Sequence, residues 1–386
     1  MPYRPLFALG LVLGLLGALV WIPPLAQALG VAPAALHPDL MIGGFLWQVA
    51  AGFLMTALPR FFGSLPAQRA EQLAAVGLGI ALGAVSLMAD RRPFHAVLLA
   101  QMLLVAGFGL RRARRRKVTP PPMFAFVALG LGCGLGGSAL LLVSEAGGLG
   151  LRAAWWGRLL LYHGMMVALV LGVGSSLLTA MFGWAQPSLV KLGRPGELHG
   201  PGRPGRWREP GALLLLFALG LVLEGSGCSP AGGRALRALV VSWVALRAWR
   251  VLRRPRSPGW LVFWAWVGAG ALVAGLWAQA LLPGAAVHLV HLAFIAGLAL
   301  MALMVAARVS LVHGGFGSAP ERRSPALAGS GVLLVLAAAG RALAPAAGAG
   351  YDRHLAYAAL VFAAALLLWS LAMLPRWLRP ARGSAR

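Results

Sequence analysis

The sequence predicts an all-α fold: a polytopic membrane helical bundle of about twelve transmembrane helices, with both termini in the cytoplasm. Hydrophobic residues make up 60% of the 386 residues and charged residues only 11%, and the mean hydropathy is +0.80. So little polar surface cannot cover a soluble globule of this size. The net charge of +25 comes from short Lys and Arg clusters between apolar runs. This pattern indicates membrane topology and no nucleic-acid partner.

Apolar runs of about 20 residues can span the hydrocarbon core as helices, and turns rich in Gly, Pro and Arg separate these runs. The first six are Pro5 to Leu29, Leu40 to Leu58, Leu73 to Ala89, Phe94 to Leu110, Met123 to Val143 and Trp156 to Trp184. The last six are Ala212 to Leu223, Ala235 to Leu252, Trp260 to Leu282, Val287 to Ala307, Ala328 to Ala347 and Leu355 to Leu374. The seventh is short.

The distribution of positive charge predicts the orientation, because Lys and Arg near the ends of spans are retained in the cytoplasm. With the N-terminus inside, 26 of the 34 Lys and Arg residues fall on the inner side. Every even-numbered helix then starts on the outer side. Six histidines at the starts of these helices converge on the outer third of the membrane: His37, His95, His163, His288, His291 and His354. His95 and His354 are interpreted as half-exposed interfacial residues.

No soluble domain interrupts the bundle, so residues 1–386 are predicted to form one integral membrane domain. A first six-helix half (1–185) and a second (211–386) flank a basic cytoplasmic loop (186–210). The first segment ends in Ala26-Gln27-Ala28, a pattern similar to a signal-peptidase site, but its long apolar run without a strongly basic start favours retention. Arg and Trp residues in the loops suit anionic headgroups, which makes membrane lipids the expected partners.

Histidines carry the chemistry that the sequence offers. Imidazole is costly to bury in lipid and is the commonest metal ligand near neutral pH, whereas two cysteines cannot form a multi-Cys zinc or iron–sulfur site. His288 and His291 lie three residues apart, about 60° from each other around a helix. Neighbours on one face cannot both bind one haem iron axially, because axial ligands approach from opposite sides. If both bind metal, they serve different metals.

The stretch from His37 to Gly63 resembles the signature of the NnrS family. In that signature a His-rich start leads to a Gly-Phe pair and a Gly-Phe-Leu-x-Thr-Ala-x-Pro end. The matching residues are Gly44, Phe45, Gly52, Phe53, Leu54, Thr56, Ala57 and Pro59. A second stretch, from His291 through Arg308 to His313 and Gly314, is similar to the family's His-led helix and Gly-His turn. The resemblance runs in order over nearly the whole chain.

Two departures mark a divergent member. The family usually has His-x-His-Glu-Met where this chain has His37-Pro38-Asp39-Leu40-Met41, so Asp replaces the second His and Leu replaces the Glu. The later turn reads Val312-His313-Gly314-Gly315-Phe316, without the expected Thr and Arg. A site that depends on the second His is altered or lost.

The resemblance implies a multipass protein of the bacterial inner membrane that contains haem, b-type by expectation, with copper as a further metal. It is associated with nitric oxide tolerance and denitrification, with nitric oxide as a ligand and an unidentified redox partner. His37 and His291 are the first choices as haem ligands, near the periplasmic face. His288 and His163 are expected to bind a second haem or copper, and Arg158 to pair with a haem propionate.

Two other functions stay open from the sequence alone. Haem–copper oxidases and nitric oxide reductases also have twelve spans with ligands on the second, sixth and tenth, but their paired His on the seventh is absent here. A transporter without cofactor could use Gln48, Gln101 and Gln279 along a polar path, although buried carboxylates for ion coupling are scarce. Whether nitric oxide would be sensed, sequestered or turned over also stays open.

Overall fold

A computed structural model describes residues 1–30, 32–184, 207–316 and 319–378. Within these ranges the chain is helical and contains no β-strand. Most of the predicted basic loop, including His199, lies outside the described residues. The helices in chain order are α1 Tyr3–Leu19, α2 Pro23–Leu29, α3 Pro33–Phe61, α4 Arg69–Val85, α5 Arg92–Arg114, α6 Ala125–Glu145, α7 Leu151–Met181, α8 Arg208–Ser226, α9 Pro230–Val244, α10 Trp260–Leu281, α11 Pro283–His313, α12 Ala319–Arg323, α13 Pro325–Leu343 and α14 Tyr351–Leu378.

These helices confirm the all-α membrane-type fold, because each of the twelve predicted apolar segments falls on helix. Eight stretches of the described chain are long and apolar enough to cross a membrane, or nine if a bent pair counts as one. Helices α1 and α4 have 17 residues each. At 1.5 Å per residue each is about 26 Å long, shorter than a hydrocarbon core of about 30 Å. Twelve crossings and cytoplasmic termini remain predictions.

The first apolar segment differs from the single run that the sequence predicts. Helices α1 and α2 meet at an angle of 108°. Ile22 between them has extended backbone angles, φ −85° and ψ 114°. The reason is Pro23, whose ring clashes with a helical conformation at the preceding residue. Leu19 therefore ends the first helix, and the chain from Pro23 to Leu29 runs in a new direction.

Backbone contacts divide the chain into two compact units. The first comprises Met1–Pro2 and Ala51–Leu252, and the second comprises Tyr3–Ala50 and Arg253–Arg386. His163 and Arg158 belong to the first unit, whereas His37, His288 and His291 belong to the second.

In the first unit, small residues bring α6 and α7 to backbone distance. A Cβ added to Gly137 would lie 2.8 Å from the Gly157 carbonyl oxygen, so only glycine fits at this crossing. Small residues of this kind let membrane helices approach closely. At the start of α4, Glu71 accepts hydrogen bonds from Arg112 at 2.7 Å and from Arg111 at 3.1 Å, which ties α4 to the end of α5.

In the second unit, α1 packs against the beginning of α3. A Cβ added to Gly17 would lie 2.9 Å from the Leu40 Cβ, and one added to Gly10 would lie 3.0 Å from the Phe45 carbonyl oxygen. Farther along the unit, the Trp369 indole of α14 donates to the Leu303 carbonyl of α11 at 3.1 Å. These contacts fix the two helices that carry His37 and His291.

Candidate metal centre

Segments of π-helix mark the histidine-bearing helices. Four such segments occur in the described chain: Asp39–Leu46, Leu159–Met165, Ala245–Trp249 and Leu292–Ala299. The first begins two residues after His37, the second contains His163, and the fourth begins directly after His291. A π-turn has weaker backbone geometry than an α-turn and is found frequently at functional sites. Three of the four segments therefore contain, or begin just after, a histidine that the sequence predicts as a ligand.

The structure brings His37 and His291 together. Their ring centroids lie 6.2 Å apart, and the ring planes are inclined by only 24°. Both side chains are half-buried. The two residues predicted as first-choice ligands thus lie close together, with nearly parallel rings, in one compact unit, although they come from distant parts of the chain.

Hydrogen bonds define the tautomer of each ring in this pair. The Nδ1 atom of His37 lies 2.7 Å from the Gly17 carbonyl oxygen, and that of His291 lies 3.0 Å from the Val287 carbonyl oxygen. A carbonyl oxygen can only accept, so Nδ1 carries the proton in both rings. In a neutral imidazole the lone pair is then on Nε2, the arrangement found in most metal-binding histidines.

The separation of the two rings can be compared with coordination geometry. With metal–nitrogen bonds of about 2.0–2.1 Å, two imidazole centroids lie about 6.3 Å apart across one metal ion and about 5.2 Å apart at a tetrahedral angle. The 6.2 Å between the centroids of His37 and His291 is long enough for a metal ion to be shared by the two rings.

Apolar side chains surround His37. The Trp21 ring meets the imidazole edge-on, with 5.7 Å between centroids. Leu36 and Leu40 are buried in the adjoining cluster, against which Trp21 also packs. A porphyrin ring has a mostly apolar surface and would pack against such neighbours. Apolar neighbours would also protect a metal–imidazole bond from water.

His288 has a different partner from the other two histidines. The Arg341 guanidinium lies 2.7 Å from its Nδ1, and guanidinium can only donate, so the His288 lone pair is on Nδ1 and is used by Arg341. The His288 ring also meets Tyr351 edge-on at 5.9 Å. In this arrangement His288 orients Arg341 and presents an N–H at Nε2, and its role as a metal ligand stays a prediction.

His163 and Arg158 have different surroundings within the first unit. His163 lies near two positively charged side chains, Arg234 and Arg237. Arg237 is 2% exposed and forms an ion pair with Glu224, which also accepts from Arg234 at 2.8 Å. Arg158 is exposed. The buried Glu–Arg cluster was not predicted from the sequence.

The other described histidines take no part in the pair. His95 is 3% exposed, which corrects the half-exposed position predicted for it, whereas His354 is exposed as predicted. His313 lies at the end of α11, with Nδ1 3.0 Å from the Val309 carbonyl oxygen.

Within the described ranges, no group of three or more His, Cys, Asp or Glu side chains forms a cluster that could hold a metal ion. A haem needs fewer protein ligands, because the porphyrin supplies four of the six bonds to iron. The residues present therefore fit a haem held by two imidazoles.

Sequence comparison adds one match. The family model described as NnrS protein matches residues 1–381 of the 386. No curated protein matches the chain.

Proposed function

Because this chain belongs to the NnrS family, we propose that it is a haem-binding protein of the bacterial inner membrane that acts in nitric oxide response and tolerance. The observation that carries the proposal is the His37–His291 pair, with its 6.2 Å spacing and both Nδ1 protons directed to backbone carbonyls. The helices of a multipass membrane protein supply the setting.

His37 and His291 would hold the haem, b-type because the chain contains no Cys-x-x-Cys-His sequence for covalent attachment. When bound, the haem would supply an iron that nitric oxide can ligate in place of one of the two imidazoles. The residues of the chain orient the ligands, since the Gly17 and Val287 carbonyls hold each imidazole in the required tautomer and direction. The apolar cluster against which Trp21 packs would limit the access of water to His37.

Copper and a second haem belong to the same proposal. His163 is the proposed ligand of that further metal, because it lies in a π-helical segment like those at the other two histidines. Arg158 was predicted to pair with a propionate, but its side chain is exposed, where solvent weakens such a pair. The metal site is proposed to lie near the periplasmic face, as the division of Lys and Arg between the two sides of the membrane indicates.

The hydrogen bonds of the buried glutamines are relevant to the alternative function, a transporter without cofactor. The Gln101 amide donates to the Ala75 carbonyl at 2.9 Å, and the Gln279 amide donates to the Gly275 carbonyl at 2.9 Å. Gln48, Gln101 and Gln279 are all buried. The Gln101 bond joins α5 to α4, and the Gln279 bond stays within α10, so these two hydrogen-bonded side chains do not by themselves argue for a polar path.

The test is a visible spectrum and a metal analysis of the detergent-purified full chain from haem-replete cells. We expect a Soret band that shifts on reduction and again on addition of nitric oxide. Colourless protein that also contains no copper would refute the proposal and favour the transporter.

A further inference from the structure

Arg341 is a buried positive charge that has no carboxylate partner in the described part of the chain. It lies near the end of the apolar helix α13 and is 9% exposed. The ion pairs among the described residues involve other arginines. A charged side chain within an apolar helix is costly, and such residues usually face a partner or a functional cavity.

Two side chains hold the Arg341 guanidinium in place. Its Nη1 donates to His288 Nδ1 at 2.7 Å, and the Tyr351 side chain interacts with it as well. Guanidinium has five N–H donors. These two interactions fix its position and leave donors for a ligand.

Arg341 contacts His288, which lies three residues before His291 on the same helix, and the His291 ring lies 6.2 Å from that of His37. These residues belong to the same compact unit. Arg341 is therefore an oriented cation on the same part of this unit as the imidazole pair.

We propose that Arg341, oriented by His288 and Tyr351, binds a carboxylate of the ligand held by His37 and His291, namely a haem propionate. The inference rests on the proposed function and adds a binding residue to it. Guanidinium matches a carboxylate through two parallel hydrogen bonds, which makes it the side chain suited to this group. His288 is then a positioning residue, and the buried charge of Arg341 is neutralised by the ligand.

Arg158 is the competing candidate, and the two arginines differ in exposure. Arg158 is exposed, whereas Arg341 is nearly buried. An ion pair in water is weak because solvent screens it, and a pair away from water is screened much less. The geometry therefore favours Arg341, and Arg158 serves as the matched control.

The experiment uses the full chain, purified in detergent from haem-deficient cells and titrated in parallel with haem b and with its dimethyl ester, in which both propionates are uncharged. Absorbance at the Soret band reports binding. A charge-assisted hydrogen bond corresponds to about tenfold in affinity or more. We expect the unmodified chain to prefer haem b over the ester by about that factor.

Arg341→Gln should abolish this preference while the Soret band is retained, and Arg158→Gln should leave it intact. Arg341→Lys keeps the charge and should fold even if the Gln variant does not; because it lacks the bidentate fork, it should show a reduced preference. An undiminished preference in both Arg341 variants would overturn the proposal, as would its loss in Arg158→Gln alone. Equal binding of haem and ester by the unmodified chain would also overturn it and leave the proposed function standing. If neither compound produces a Soret band, the proposed function itself fails.

Discussion

Gly17 supports His37 in two ways, and replacing it with alanine tests both. The Gly17 carbonyl accepts the His37 Nδ1 proton at 2.7 Å. A Cβ at this position would lie 2.9 Å from the Leu40 Cβ and 3.1 Å from the Met41 Sδ. Carbon atoms in contact prefer about 3.5–4.0 Å, so α1 must move away from the start of α3 by about 0.6–1 Å.

Such a movement would stretch the Gly17–His37 hydrogen bond beyond about 3.2 Å, where it weakens steeply. Overpacking a helix contact costs about 1–3 kcal/mol of folding free energy. Loss of the partner that orients a metal ligand lowers metal affinity about 10- to 100-fold. We therefore expect Gly17→Ala to keep both imidazoles and yet bind haem at least about tenfold more weakly.

The assay is a haem titration of the ligand-free protein with a parallel thermal melt followed by circular dichroism. Gly132→Ala is the matched control, because nothing lies within 4 Å of a Cβ added at that helical glycine. Alanine there should leave haem affinity unchanged and stabilise the helix by about 0.5–1 kcal/mol. Haem affinity of Gly17→Ala equal to that of the unmodified chain would refute the support assigned to Gly17.

Four further predictions follow from the same structure. His37→Ala and His291→Ala should each strongly reduce haem retention in the purified protein, with His199→Ala unchanged; normal haem content in both would remove the axial assignment. His288→Gln should preserve the selectivity for haem over its dimethyl ester better than His288→Leu, because the Gln side-chain oxygen can still accept from Arg341; equal selectivity in the two would contradict a positioning role. Burial raises the pKa of Glu71, but hydrogen bonds from Arg112, the Gln68 backbone and Arg111 outweigh burial and hold this pKa below its ordinary value. Glu71→Gln should therefore lower the melting temperature at neutral pH, and the difference should shrink as the pH falls through the carboxyl range. A melting-temperature difference that does not change with pH would sink that account. Reporter fusions after Lys117 should report cytoplasm and fusions near Asp90 periplasm; a periplasmic signal from the Arg111–Lys117 cluster would reverse the orientation.

Apolar run length was sufficient to predict the helices, because a chain this apolar has few other ways to satisfy its backbone in lipid. It could not predict the bend between α1 and α2. The run there is continuous in hydropathy, and only the steric effect of Pro23 on Ile22 interrupts the helix. The π-helical segments were also beyond the sequence pattern, since one extra residue in a turn leaves no mark on an almost uniformly apolar segment.

The sequence predicted the two histidines of the candidate site but not their spacing or the role of Arg341. His37 and His291 were chosen through the family resemblance, but hydropathy carries no information on which helices adjoin, so their 6.2 Å spacing needed the structure. Arg341 had a signal in the sequence, because it is a charge within an apolar segment, which by default indicates function. In the charge distribution Arg341 is only one of the eight positive residues that the predicted topology places on the outer side.

The two histidine helices of the second unit share one local design. His37 and His291 each precede a π-helical segment of eight residues, and each segment packs against glycine on a neighbouring helix. A Cβ on Gly17 would collide with Leu40, and one on Gly275 would lie 2.8 Å from the Ala293 Cα. A π-turn is wider than an α-turn, so its partner must yield space, and glycine provides it. The less stable turn thus occurs just after each of the two histidines whose rings lie 6.2 Å apart, and glycine on the neighbouring helix accommodates it.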